Sequence, residues 1–185
     1  MVLTIVLIVV FLLALFVMSA YNRLVRLRNT RENAFADIDV QLKQRHDLIP
    51  QLVESVKGYM KHESDTLIKV TEARTAAMSA QKKKKKIATE NQLSSALSGL
   101  KVSLEAYPDL KASANFLQLQ EEMADIENKL ASVRRFFNTT TREYNNAVET
   151  FPANLIAGMF NFRRETMFDV GDERSDLNKA PQVSF

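Results

Sequence analysis

The sequence predicts an all-α protein, with an N-terminal transmembrane helix followed by an elongated antiparallel four-helix bundle. Three observations predict it. Residues 1–21 carry none of the 25 basic and 22 acidic side chains of the 185-residue chain. Only 4 Gly and 4 Pro interrupt that chain, too few for a turn-dense all-β or linker-rich architecture. From Phe116 onward, apolar residues alternate spacings of three and four over about five heptads, the pattern of a helical packing seam. The expected organisation is a transmembrane helix over 1–21, a helical bundle over 22–162 and an irregular tail over 163–185.

The first element is the run VLTIVLIVVFLLALFVMSAY, polar only at Thr4 and Ser19. Twenty helical residues cover about 30 Å, the thickness of a bilayer's hydrocarbon core. Val2, Leu7, Phe11, Leu15 and Met18 are expected to anchor it, and Tyr21 stands where an interfacial aromatic belongs. A cleaved signal peptide is the competing reading, but that would show a basic leader and a shorter apolar core. Arg23, Arg26, Arg28 and Arg31 follow with no acid before Glu32. Cationic flanks stay cytoplasmic, so these four are the topology-determining residues and place the N-terminus outside.

In the body, Ile38, Leu42, Arg45, Ile49, Val53, Val56 and Met60 keep one helical phase straight through Pro50. Pro50 either kinks a continuous helix or sits in the first turn of a new one capped by Asp47. The turn near Arg45–Asp47 is preferred, with a second helix running to about Ala80 through Leu67, Val70 and Ala77. Glu63 and Arg74 lie on or beside that seam, where an exposed flank is the simpler reading and a buried polar contact the sharper one. Leu93, Leu97, Leu100, Leu104 and Tyr107 predict a third helix of roughly 20 residues, ended by Tyr107-Pro108-Asp109. Its antiparallel partner carries Phe116, Leu119, Met123, Ile126, Leu130, Val133, Phe137, Thr140, Tyr144, Ala147 and Phe151, and Pro152 ends it.

Two surface features stand apart from the bundle pattern. Lys82, Lys83, Lys84, Lys85 and Lys86 read as a solvated loop between helices, or as a patch drawn to anionic lipid headgroups at about 1 kcal/mol per residue. The apolar stretch 154–162, with Leu155, Ile156, Met159, Phe160 and Phe162, either folds back over the bundle end or buries against lipid or a partner. Nucleic acid is excluded as a partner, because the net charge is only +3 and no aromatic or arginine residues interleave with the lysines.

Nothing catalytic is legible. The chain has no Cys, and its two histidines, His46 and His62, lack the Glu-x-x-His spacing of a di-iron bundle. His62-Glu63 starts like a zincin motif without the second histidine. Phosphate-binding glycine loops and a serine nucleophile elbow are missing as well. The expectation is a non-enzyme with no cofactor, no metal and no catalytic residue.

Specific strings nevertheless point to a family. They include Tyr21-Asn22-Arg23-Leu24-Val25, Arg45-His46-Asp47-Leu48-Ile49-Pro50-Gln51-Leu52-Val53 and Thr71-Glu72-Ala73-Arg74. Glu105-Ala106-Tyr107-Pro108-Asp109-Leu110, Tyr144-Asn145, Ala157-Gly158-Met159-Phe160 and the closing Val183-Ser184-Phe185 continue them. In these the chain resembles the LemA family. The resemblance implies a bacterial, membrane-anchored four-helix bundle without known enzymatic activity or cofactor, and favours the turn before Pro50. It also implies links with membrane zinc metalloproteases and, in one branch, with magnetosome membranes. Some family members are lipoproteins with a cysteine before the Tyr-Asn pair, whereas Ser19-Ala20 stands there in this chain.

The function expected from all this is a non-enzymatic scaffold or adaptor in the bacterial cytoplasmic membrane. It is single-pass, with the bundle cytoplasmic and the opposite orientation open. Its partners would be the bilayer, further copies of itself and a membrane metalloprotease. The alternative is a lipid-binding or membrane-remodelling protein that works through the five lysines and the apolar 154–162 segment.

Overall fold

The computed structural model describes residues 1–60 and 63–168, with backbone alone at 83 and 84. His62 and the closing strings of the tail therefore lie outside the described residues. Those described form six α-helices and one 3-10 turn, with no strand among them. They are α1 (Val2–Lys57), α2 (Ser64–Ser79), α3 (Lys83–Ser103), α4 (Pro108–Lys111), α5 (Ala114–Glu149) and α6 (Ala153–Met159). The chain divides into two compact units, one of Met1–Val40 with Ala131–Met167, the other centred on Gln41–Leu130.

The apolar N-terminal segment is helical from Val2, and its large side chains are exposed from Met1 to Tyr21 except Val17, which packs against the core of the first unit. This is consistent with a membrane anchor. In the first unit, Leu24 packs with Tyr144 and Ala147 of α5 and with Ile156, Ala157 and Phe162. Phe35 and Phe137 meet edge-on at 5.5 Å. Tyr144 is buried here, and burial together with the Glu165 carboxylate pushes its phenol above the ordinary value, against the pull of Arg28 and Arg31.

The second unit buries Ile49, Leu52 and Val56 of α1 and Met60 beyond it. Against these pack Leu67, Val70 and Ala77 of α2, Leu93 and Leu100 of α3, and Leu104, Leu110 and Phe116. Each expected apolar seam is thus the buried face of its helix. Phe151 is the exception: α5 stops at Glu149, before Pro152, and the Phe151 side chain is 73% exposed.

Three local expectations are corrected. No turn separates Arg45 from Asp47, because α1 continues through Pro50 and ends at Lys57, before Gly58. Tyr59 and Met60 both donate their amides to the Val56 carbonyl there, and glycine's poor helix propensity places the stop. Asp47 caps nothing; its carboxylate pairs with Lys43 one turn earlier at 2.5 Å. The lysine run is not a loop either, since Lys82 is the N-cap of α3 and the next four lysines form its first turn. Cations there oppose the helix dipole, so α3 is held by its buried leucines rather than by its own end. The Pro108 turn is itself helical, with Pro108 leading α4, where a missing amide costs nothing.

Candidate membrane interface

The first unit collects aromatic and apolar groups around the end of the apolar segment. The Tyr21 ring lies 4.8 Å from Phe160 and 5.8 Å from Phe162. The Arg28 guanidinium sits over Phe162 at 5.4 Å, a cation–π contact. Short as it is, α6 is two-faced. Ile156 and Ala157 enter the core beside Leu24, whereas Leu155 and Met159, four apart, remain exposed, Met159 at 75%, as does Phe151 just before the helix. Phe160 is half exposed as well. One face of the segment 154–162 therefore folds back onto the protein and the other is presented outward.

The chain after α6 is tied to the same unit. Asn145 Nδ2 donates to the Glu165 carbonyl at 2.9 Å and its Oδ1 accepts the Glu165 amide at 2.8 Å, so one side chain satisfies both backbone polar groups of that residue. Arg31 is only 3% exposed. It pairs with Glu165 at 3.0 Å, donates to Thr141 Oγ1 at 3.2 Å and stacks over Phe137 at 5.1 Å. Arg164 pairs with Glu149 at 2.9 Å. Of the four arginines after the apolar segment, Arg23 and Arg26 stay exposed, Arg28 covers an aromatic ring and Arg31 is internal.

The second unit has a polar interior of its own. Arg45 is 1% exposed and faces Glu90 Oε2 at 3.5 Å and Glu127 Oε1 at 2.7 Å, while donating to Ser94 Oγ at 3.0 Å. Glu90 is wholly buried and also meets His46 Nε2 at 2.8 Å. The cluster thus joins α1, α3 and α5. Arg74 Nε of α2 donates to the His46 backbone carbonyl at 2.7 Å. Tyr107 donates its hydroxyl to Glu63, and that carboxylate raises the phenol's pKa above its ordinary range. Glu63 and Arg74 are accordingly in contacts, not idle on a flank.

A family model described as the LemA family matches residues 34–185. The chain belongs to the LemA family. It is 28% identical over 161 residues to Protein LemA of Metamycoplasma hominis, covering 86% of this chain and 74% of that one. A shorter likeness, 29% over 73 residues, reaches 40% of this chain and 27% of the Magnetosome protein MamQ of Magnetospirillum gryphiswaldense.

Many residues that carry the LemA resemblance are internal polar contacts: Arg45, His46 and Arg74 in one unit, Asn145 in the other. Sequence reasoning placed Arg45 on a seam but missed its partner. Glu90 stands three residues before Leu93, in phase with Leu93, Leu97 and Leu100, so an acid on an apolar stripe was the available signal. The anchor positions Val2, Leu7, Phe11, Leu15 and Met18 are exposed along α1. Lys82 and Lys85 are exposed at the start of α3, Lys86 is partly covered, and the side chains of Lys83 and Lys84 lie outside the described residues. Among the described residues no group of three His, Asp or Glu forms a metal site.

Proposed function

We propose that this LemA-family protein is a non-enzymatic scaffold of the bacterial cytoplasmic membrane. Residues 1–21 cross the bilayer once, with the N-terminus outside. The second unit is read as an antiparallel four-helix bundle made by the later part of α1, α2, α3 and the early part of α5. The single observation that carries this reading is the outward apolar face of Phe151, Leu155 and Met159 beside the Tyr21–Phe160–Phe162 cluster. An apolar face of this kind next to an apolar span is suited to lipid or to another membrane-embedded chain. Burying one such side chain fully contributes about 1.5–3 kcal/mol. We assign it to contacts with further copies of the protein and with a membrane protein such as a metalloprotease.

Light scattering of the full-length protein in detergent tests self-association, and a strict monomer removes it. Crosslinking in native membranes tests the partner; recovery of the chain alone removes that. Protease treatment of right-side-out membranes tests the orientation, since digestion of the body would reverse it.

The exposed α6 face also favours a second reading, a lipid-binding or membrane-remodelling protein that uses Lys82–Lys86 together with α6. Anionic vesicles should then retain the protein without residues 1–21 at low salt and release it when those lysines become Gln. No retention at low salt would sink this reading.

A further inference from the structure

Beside the aromatic cluster the first unit carries a groove of about 420 Å³. Phe16, Ala20 and Arg23, spaced four and three apart, form one wall from α1, and Glu143 of α5 with Thr150 and Phe151 just beyond its end form the other. Phe16 and Ala20 belong to the proposed span, whereas Arg23 follows Tyr21, the residue at its boundary. From Phe16 to Arg23 the helix rises about 10 Å, so the groove runs from hydrocarbon depth into the headgroup layer. Its deep end is mainly apolar, with the Ser19 hydroxyl as a polar group between Phe16 and Ala20, and its shallow end carries one cation and one anion.

That polarity selects an occupant. Arg23 and Glu143 are both exposed, and among the described residues neither has a hydrogen bond or an ion pair. A guanidinium is suited to a phosphate diester, and a carboxylate to an ammonium that can donate hydrogen bonds. We propose that the groove binds one phospholipid with a primary-amine headgroup, its phosphate on Arg23, its ammonium on Glu143 and an acyl chain along Phe16 and Ala20. A choline headgroup carries the same charges but has no N–H to donate. A glycerol headgroup leaves Glu143 facing a phosphate with no cation between them. This assignment rests on the reading of residues 1–21 as a span.

The test is native mass spectrometry of the full-length protein titrated with phosphatidylethanolamine, phosphatidylcholine and phosphatidylglycerol of identical acyl chains. One ethanolamine lipid per chain should bind about tenfold better than either of the others, the worth of one charge-assisted hydrogen-bonded pair. Glu143→Gln should erase the preference for ethanolamine over choline, and Arg23→Gln should weaken all three lipids. Stepwise N-methylation of the ethanolamine headgroup makes the same test without a variant, because affinity for the unaltered protein should fall with each methyl. Equal binding of the three lipids, or a preference untouched by both substitutions, would overturn the assignment. Alkaline carbonate extraction separates the two readings. A protein released from membranes loses its span, whereas one that stays and shows no headgroup preference loses only the lipid site.

Discussion

Arg74 should matter because of Pro50. In a continuous helix the amide of residue 50 would donate to the carbonyl of His46, and proline has no amide to give. The orphaned carbonyl is instead taken by Arg74 Nε from α2 at 2.7 Å. Arg74→Met keeps most of the stem and deletes the donor. A hydrogen bond from a charged group contributes about 1.5–3 kcal/mol net. For a chain of this length each kcal/mol moves the Tm by about 2–4 °C, so a loss of about 3–12 °C is expected. The diagnostic measurement is a cycle followed by far-ultraviolet circular dichroism in detergent. With Pro50→Ala in place, the restored amide occupies the His46 carbonyl, and Arg74→Met should then cost less than about 1 kcal/mol. Arg74 also acts through space on Asp47, whose carboxyl is held low first by its hydrogen bond from Lys43, but that influence is common to both backgrounds and cancels. An equal Tm loss with and without Pro50 would refute the reasoning.

Removing Glu90 alone should be worse than removing its pair. Glu90→Ala leaves the buried Arg45 with the partly exposed Glu127 as its one remaining carboxylate and takes away the partner of His46 Nε2, and should cost about 3–5 kcal/mol, whereas Arg45→Leu with Glu90→Leu should be close to neutral, as judged by thermal unfolding. A double variant as unstable as Glu90→Ala would count against the pairing. For Tyr144, the folded phenol is raised above the unfolded value of about 10, so its contribution is complete below pH 10 and is lost as pH climbs from there through the folded pKa. Tyr144→Phe should therefore show a smaller Tm drop between pH 9 and pH 11 than the unaltered protein, and an identical drop would remove the effect. Since the chain has no Cys, Met159→Cys and Val102→Cys give clean single labels at two exposed positions. If α6 rests on lipid, a membrane-impermeant maleimide should label the Met159→Cys variant several-fold more slowly in a bilayer than in its absence, with the rate for the Val102→Cys variant unchanged. Equal slowing of both, or of neither, would take α6 off the lipid.

Helical phase proved the most faithful signal in the sequence, and local punctuation the least. Ile38, Leu42, Ile49 and Val56 are all buried in one register across Pro50. The rule that proline breaks a helix assumes that the freed carbonyl must find water or a turn. Here its donor lies on another helix, 28 residues away from His46 in sequence, and no local window contains both. The lysines misled for a related reason. Five like charges read as solvent-facing loop, yet burial of Leu93 and Leu100 outweighs an unfavourable first turn, and that term is visible only once a core exists. In the candidate interface, the apolar character of 154–162 was plain from composition. Which of its side chains face outward depended on where Leu24 and Tyr144 stand, a tertiary fact.

The arginines show how one set of residues serves two stages. A positive flank orients a span while the chain is being inserted, when it is still unfolded and lysine and arginine count almost regardless of nearby acids. Arg31 can take part at that stage and still end up paired with Glu165 and stacked on Phe137. Its later burial therefore does not weaken the proposed orientation. Nor does a buried arginine need neutralising at the membrane surface, because Glu165 arrives with the C-terminal segment, held by Asn145. Folding thus withdraws Arg31 from the surface and caps Phe162 with Arg28, leaving Arg23 and Arg26 exposed after the apolar segment. A cation that remains exposed after folding, on the rim of a groove with a carboxylate opposite, is available for a headgroup; a cation already paired inside is not.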